Sequence, residues 1–120
     1  MSGRRVDRLN SLLREVLSEV LSTDLHHIGR LESKYPVTIT SVEITRDLSY
    51  AKVFFTLMGD LAEREEMKKL LNTLAPKIAA IAMRKVVMRL FPRLEFYYDE
   101  GLEKQLRIHE LLAKNPPAQQ

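Results

Sequence analysis

Apolar side chains recur at three- and four-residue steps from Arg4 to about Leu25: Val6, Leu9, Leu12, Leu13, Val16, Leu17, Val20 and Leu21. That spacing lines one side of a helix and predicts an amphipathic helix whose stripe faces a core. The loop "HHIGRLESKYP" follows, where Gly29 can end the helix and Pro36 starts an extended run. Val37–Thr45 is rich in β-branched residues and predicts a strand, but its phase slips. Val37 and Ile39 share one parity, Val42 and Ile44 the other. Side chains alternate across a strand, so one extra residue near Thr40-Ser41 reconciles the halves and predicts a bulge. Tyr50–Met58 alternates without a slip, with Ala51, Val53, Phe55 and Leu57 on one face and Tyr50, Lys52, Phe54 and Thr56 on the other. Arg46–Ser49, between the two runs, has the length of a hairpin turn.

Gly59-Asp60 breaks the strand, and "LAEREEMKKLLNTLA" predicts a helix, acidic at its start and basic later, as the macrodipole favours. Met67, Leu70, Leu71 and Leu74 form its apolar side. Pro76 then falls inside the helical pattern. Proline has no N–H and clashes with the carbonyl four residues back, which predicts a break near Leu74-Ala75. A second helix is expected from Pro76 to Leu90, with Ile78, Ala79, Ala82, Met83, Val86, Val87 and Leu90 supplying core contacts. Phe91-Pro92 ends it, "LEFYYD" alternates as a third strand, and Leu102–Leu112 predicts a short terminal helix. Residues 113–120 are expected to be a flexible polar tail. The order helix, strand, strand, kinked helix pair, strand gives an α+β fold, a three-stranded sheet with helices packed on one face.

At 120 residues the chain has the length of one domain. Its 45% hydrophobic and 29% charged fractions are those of a globular protein, not a disordered one. There is no cysteine, which excludes disulfides and thiolate metal sites. No apolar stretch approaches the roughly 20 residues that span a bilayer, and the N-terminus has no secretory apolar core. A cytosolic protein is expected.

The net charge of +3 hides a segregation. From Met67 to Arg93 the chain carries Lys68, Lys69, Lys77, Arg84, Lys85, Arg89 and Arg93 and no carboxylate at all. Such a block points to a polyanionic partner, since a merely solvated face mixes signs. At about 100° per residue, Lys77, Arg84, Lys85 and Arg89 fall on one broad side of the expected second helix. Catalytic chemistry finds little support. His26 and His27 are adjacent and His109 is remote, so no metal-ligand spacing exists. Glu63, Glu65 and Glu66 fit a solvated helix start, and no nucleotide loop or nucleophile motif is present. A protein without enzymatic activity, cofactor or metal is expected.

The stretches "VTITSVEITRDLSYAKVFFTL" and "LLNTLAPKIAAIAMRKVVMRLFPRLEFYYDEGLEKQLRIHELL" are similar to bacterial ribosome-binding factor A, and the resemblance covers Arg4 to about Leu112. "VEITRDLSYAKV" and the pattern P-x-L-x-F-x-Y-D at Pro92–Asp99 carry it most specifically. The resemblance implies a type II KH-like fold, αββααβ, over residues 1–112, with a helix–kink–helix in place of the Gly-x-x-Gly loop. It implies a maturation factor that binds the small (30S) ribosomal subunit and its precursors, contacts 16S rRNA and assists late rRNA processing, especially in the cold. Two positions depart from the family's usual pattern: Pro76 after the kink alanine, and Gly101 where serine is frequent. With glycine only at 3, 29, 59 and 101, no Gly-x-x-Gly loop can be written.

Lys77, Arg84, Lys85 and Arg89 are therefore the expected main RNA contacts, with Arg4, Arg5 and Arg8 on the first helix and Arg46 and Lys52 at the hairpin as secondary ones. Tyr50, Phe54 and Tyr97 are expected to pack rather than stack on bases. The free protein is expected to be a monomer. The competing expectation is a protein-interaction module whose basic helix meets an acidic protein surface.

Overall fold

The computed structural model describes residues 3–24 and 37–101. The loop at 26–36 with its two histidines, His109, the helix expected at 102–112 and the tail at 113–120 lie outside the described residues.

α1 spans Gly3–Glu19 and continues into a π-helical turn at Val20–Asp24. Its stripe faces inward as the periodicity requires: Leu13, Val16, Leu17, Val20 and Leu21 are buried, while Leu12 is part-exposed at the margin. β1 (Thr38–Ile44) and β2 (Tyr50–Thr56) form an antiparallel hairpin, and β3 (Arg93–Tyr98) pairs with β2 in parallel, giving the mixed order β1-β2-β3.

The phase slip in β1 is resolved where the parity change placed it. Ile39 pairs with Phe55 and Ser41 with Phe54, so Thr40 bulges without a partner. The extra residue lets Ile39, Val42 and Ile44 all point into the core. Thr40 Oγ1 donates instead to Asp99 Oδ2 at 2.6 Å, fastening the bulge to the chain that leaves β3. The turn at residues 46–49 is held by Asp47, whose Oδ1 accepts from Thr45 Oγ1 (2.8 Å), Ser49 Oγ (2.7 Å) and Ser49 N–H (3.1 Å). These bonds, that of the Ser49 hydroxyl foremost, hold the Asp47 carboxyl below the usual aspartate range. They also support Leu48 at φ 62°, a left-handed conformation that costs a non-glycine residue about 1 kcal/mol or more.

α2 spans Leu61–Met83 and opens on a capping box. Asp60 Oδ1 accepts from Glu63 N–H at 2.8 Å, and Glu63 Oε1 accepts from Asp60 N–H at 3.0 Å. Glu63 is thus a cap.

Two expectations about α2 are corrected. Pro76 lies inside one helix rather than between two, because the missing N–H removes a single bond while Leu71, Ala75, Ile78 and Ala82 keep the buried stripe in phase across it. The helix also ends at Met83, seven residues short of Leu90. Arg84 caps it, and residues 84–92 run irregularly to β3. Met83, Val87 and Leu90 are exposed rather than buried, whereas Val86, Met88 and Phe91 rest against the core.

α1 packs on β1 and α2 on β3, so both helices share one face of the sheet. Phe55, Phe96, Leu13, Leu17, Leu71 and Ile78 are fully buried between the layers. Each such side chain contributes on the order of 2 kcal/mol of transfer free energy. Each outer strand also receives an asparagine from the helix beside it. Asn10 Oδ1 accepts from Ile44 N–H at 2.9 Å, and the Asn72 amide both accepts from Phe96 N–H (2.8 Å) and donates to Phe96 C=O (3.0 Å). Unpaired peptide groups at a sheet edge invite strand addition, and these amides occupy them.

Candidate nucleic-acid interface

The acid-free block from Met67 to Arg93 is distributed over four structural settings. Lys68, Lys69 and Lys77 stand on α2, Arg84 sits at its C-terminal cap, Lys85 and Arg89 lie in the irregular stretch after it, and Arg93 opens β3. The expected single helical face is corrected accordingly: only Lys77 of the four leading candidates is helical, because the helix stops at Met83. Lys77, Arg84, Lys85 and Arg89 are all exposed. Arg84 Nε donates to Ala80 C=O at 3.4 Å, which sets its cation at the negative end of the helix dipole.

Lys85 is compensated from outside the block: its Nζ pairs with Glu19 Oε1 of α1 at 3.0 Å. The partners are 66 residues apart, and α2 brings its last turn beside the end of α1. Both side chains are part-exposed, so the pair contributes about 0–1 kcal/mol. Its effect is positional, fixing the start of the 84–92 stretch against α1.

The secondary candidates are spread out. Arg4 lies in the first turn of α1, and Arg5 and Arg8 are near it on the same helix. Arg46 is exposed in the hairpin turn. Lys52 is exposed on the open face of β2, with Glu43 as its register partner on β1 and Glu95 on β3. Two carboxylates thus flank its cation in the sheet.

The aromatic residues of the open sheet face are engaged with one another. Phe54 and Tyr97 have ring centroids 5.9 Å apart, and the Tyr50 and Tyr97 hydroxyls both donate to the Glu95 carboxylate. That bond to Glu95 raises the Tyr50 phenol above its ordinary range. Lys68 Nζ lies 5.4 Å from the centre of the Tyr97 ring. All three rings are half-buried, the packing role expected of them.

Between α2 and β3 runs a cleft of about 570 Å³ lined by Lys68, Asn72, Ala75, Pro76 and Ala79 from the helix and Arg93–Tyr97 from the strand. The small side chains of Ala75, Pro76 and Ala79 give it depth. Lys68 and Arg93 were legible as members of the basic block, but nothing in the spacing marked them as walls of a cleft. Asn72 had no signal at all, because a mid-helix asparagine is ordinary in sequence. Among the described residues no three His, Cys, Asp or Glu side chains gather as a metal site, and no helix is long and apolar enough to cross a membrane.

The ribosome-binding factor A family model matches residues 5–112. A ribosome-binding factor A of Protochlamydia amoebophila is 47% identical over 114 residues, covering 95% of this chain and 85% of the relative. The crystal structure of ribosome-binding factor A from Thermus thermophilus superimposes with a TM-score of 0.62 at 25% identity, over 78% of this chain and 94% of that one. A homology model of the Thermus thermophilus protein, fitted into a cryo-EM map of a 30S complex with ribosome-binding factor A, has the same TM-score at 24% identity, over 76% of this chain and 91% of its own. The α+β KH-like architecture and the match across nearly all of the described chain agree: this protein belongs to the ribosome-binding factor A family.

Proposed function

We propose that this protein is a non-enzymatic assembly factor of the small ribosomal subunit. It binds the 30S particle and its precursors as a monomer in the cytoplasm, contacts 16S rRNA and assists late maturation and rRNA processing, with the greatest demand in the cold. The observation that carries this reading is membership of the ribosome-binding factor A family over residues 5–112. The exposed cations support it independently. Lys77, Arg84 and Arg89 project from α2 and the stretch after it, in a window without an internal carboxylate. A phosphate backbone is the partner such a surface suits, because each contact releases a condensed counterion. Such contacts orient the protein without reading bases, so selectivity rests on the shape of the folded rRNA. Arg5, Arg8 and Arg46 are exposed elsewhere on the molecule and are assigned secondary contacts.

Sedimentation of a lysate through a sucrose gradient tests the reading. The protein is expected in fractions with free small subunits and their precursors, more than with translating ribosomes. Recovery only from the top of the gradient, at low and moderate salt and after growth in the cold, refutes it. The double variant Lys77→Gln/Arg84→Gln is expected to keep its thermal midpoint, since exposed charges contribute little to stability. It should bind subunits more weakly, with a log–log salt slope shallower by about 2.

A further inference from the structure

The end of α2 and the stretch that follows it leave three large apolar side chains in water. Val87 is fully exposed at 104% and Leu90 is 74% exposed, with Met83 half-exposed at the helix end. Single exposed aliphatics are ordinary on a protein surface. Three within eight residues concentrate apolar surface on one short segment of the chain. The patch is interleaved with cations. Arg84 precedes Val87, Arg89 lies between Val87 and Leu90, both arginines are exposed, and the whole window to Arg93 lacks Asp and Glu. Whatever covers this surface must therefore supply apolar contact and negative charge together.

Folded RNA supplies both in that arrangement. Its wide, shallow minor groove presents ribose and base-edge carbon between two rows of phosphates. Minor-groove binders of DNA combine apolar side chains with arginines in this way, and the shallow RNA groove offers the same pairing of surfaces. An acidic protein surface carries its charge on separate side chains and does not require cations interspersed with the apolar tips.

We propose that Val87 and Leu90 form an apolar wedge that seats in the shallow minor groove of folded rRNA, with Arg84 and Arg89 on the phosphates beside it. The proposal rests on the RNA-binding reading above and adds a contact that salt does not screen. Helix termination at Met83 releases Val87 and Leu90 from the register of α2, whose buried stripe ends at Ala82. Lys85, tied to Glu19, anchors the near end of the stretch.

The wedge and the cations predict different salt signatures, measurable on the full chain with purified small subunits from 50 to 300 mM salt. Val87→Ser/Leu90→Ser is expected to weaken binding roughly tenfold at every salt concentration and to leave the log–log slope unchanged, since the lost contact is apolar. Arg84→Gln/Arg89→Gln is expected to lose most at low salt and to flatten the slope by about 2. Wild-type affinity in the serine variant overturns the wedge, as does a loss confined to low salt. A photoreactive leucine analogue at position 90 then identifies the occupant. Cross-linking to 16S rRNA within the subunit is expected, and cross-linking to a ribosomal protein overturns the proposal. If the wild-type chain itself fails to bind subunits, the broader RNA reading falls and the wedge with it. If the wild type binds and only the serine variant is unaffected, the wedge alone is lost.

Discussion

Replacing Asn72 with alanine tests the bond between α2 and the outer strand. The side chain accepts from Phe96 N–H at 2.8 Å and donates to Phe96 C=O at 3.0 Å, so one amide stands in for a neighbouring strand. Each bond contributes about 1 kcal/mol net, and stranding two peptide groups on a half-buried edge adds about 1 kcal/mol more. Alanine returns about 0.6 kcal/mol through its better helix propensity. The expected loss is about 2 kcal/mol. At about 4 °C per kcal/mol for a domain of this size, the thermal midpoint should fall by roughly 8 °C. Asn72→Asp keeps the acceptor for the N–H but sets a carboxylate against the Phe96 carbonyl, so it should do no better. Urea unfolding of the full chain measures the first quantity, and amide exchange at Phe96 locates it. A loss under about 0.5 kcal/mol, with the Phe96 amide still protected, would refute the role assigned to this side chain.

Pro76→Ala supplies the donor that α2 lacks toward the Asn72 carbonyl. Helix propensity favours it by about 3 kcal/mol, and the freer unfolded chain takes back about 1, so stability should rise by about 2 kcal/mol. An unchanged or lower urea midpoint would mean that the proline conformation is itself supported by packing. Asp60→Ala removes the side-chain half of the capping box and is expected to cost about 1 kcal/mol, read from the same unfolding curve. Asp47 has its folded pKa depressed, so its contribution is fully present above about pH 4, where the unfolded group is ionised, and is lost as pH falls through the lower folded value. Comparing acid unfolding of wild type and Asp47→Ala should show a smaller pH dependence in the variant over that window, and parallel curves would remove Asp47 from the linkage.

The parts of the fold that obey local periodicity were legible. The parity change at Thr40-Ser41 forced a bulge because a strand has only two faces, and the core contacts of Ile39 and Val42 confirm the phase on each side of it. The stripe of α1 was legible for the same reason. The end of α2 was not. Val86, Val87 and Leu90 continue the helical spacing, and no glycine or proline intervenes before Pro92. Two adjacent β-branched valines weaken the last turn, and tertiary contacts of Val86, Met88 and Phe91 decide against it. Of the candidate site, residue types and charge segregation were visible. The Glu19–Lys85 pair and the Asn72 amide were not, because both join residues far apart in the chain and depend on how α2 lies over the sheet.

The parallel pairing of β3 with β2 imposes an order on synthesis. β2 is the central strand, and its second neighbour is made only after residues 57–92 have been translated. The hairpin of β1 and β2 closes early and locally, while one flank of β2, bearing Val53 and Phe55, waits for residues 93–98 to leave the ribosome. Closing a parallel pair across so long a connection is slow, because the loop entropy is lost before the new contacts form. The nascent chain therefore carries an unfinished sheet for the whole time that α2 is being made, and conditions that slow folding lengthen that exposure. Overproduction in the cold should be where this chain first aggregates, and a circular permutant that places β3 ahead of α2 should relieve it.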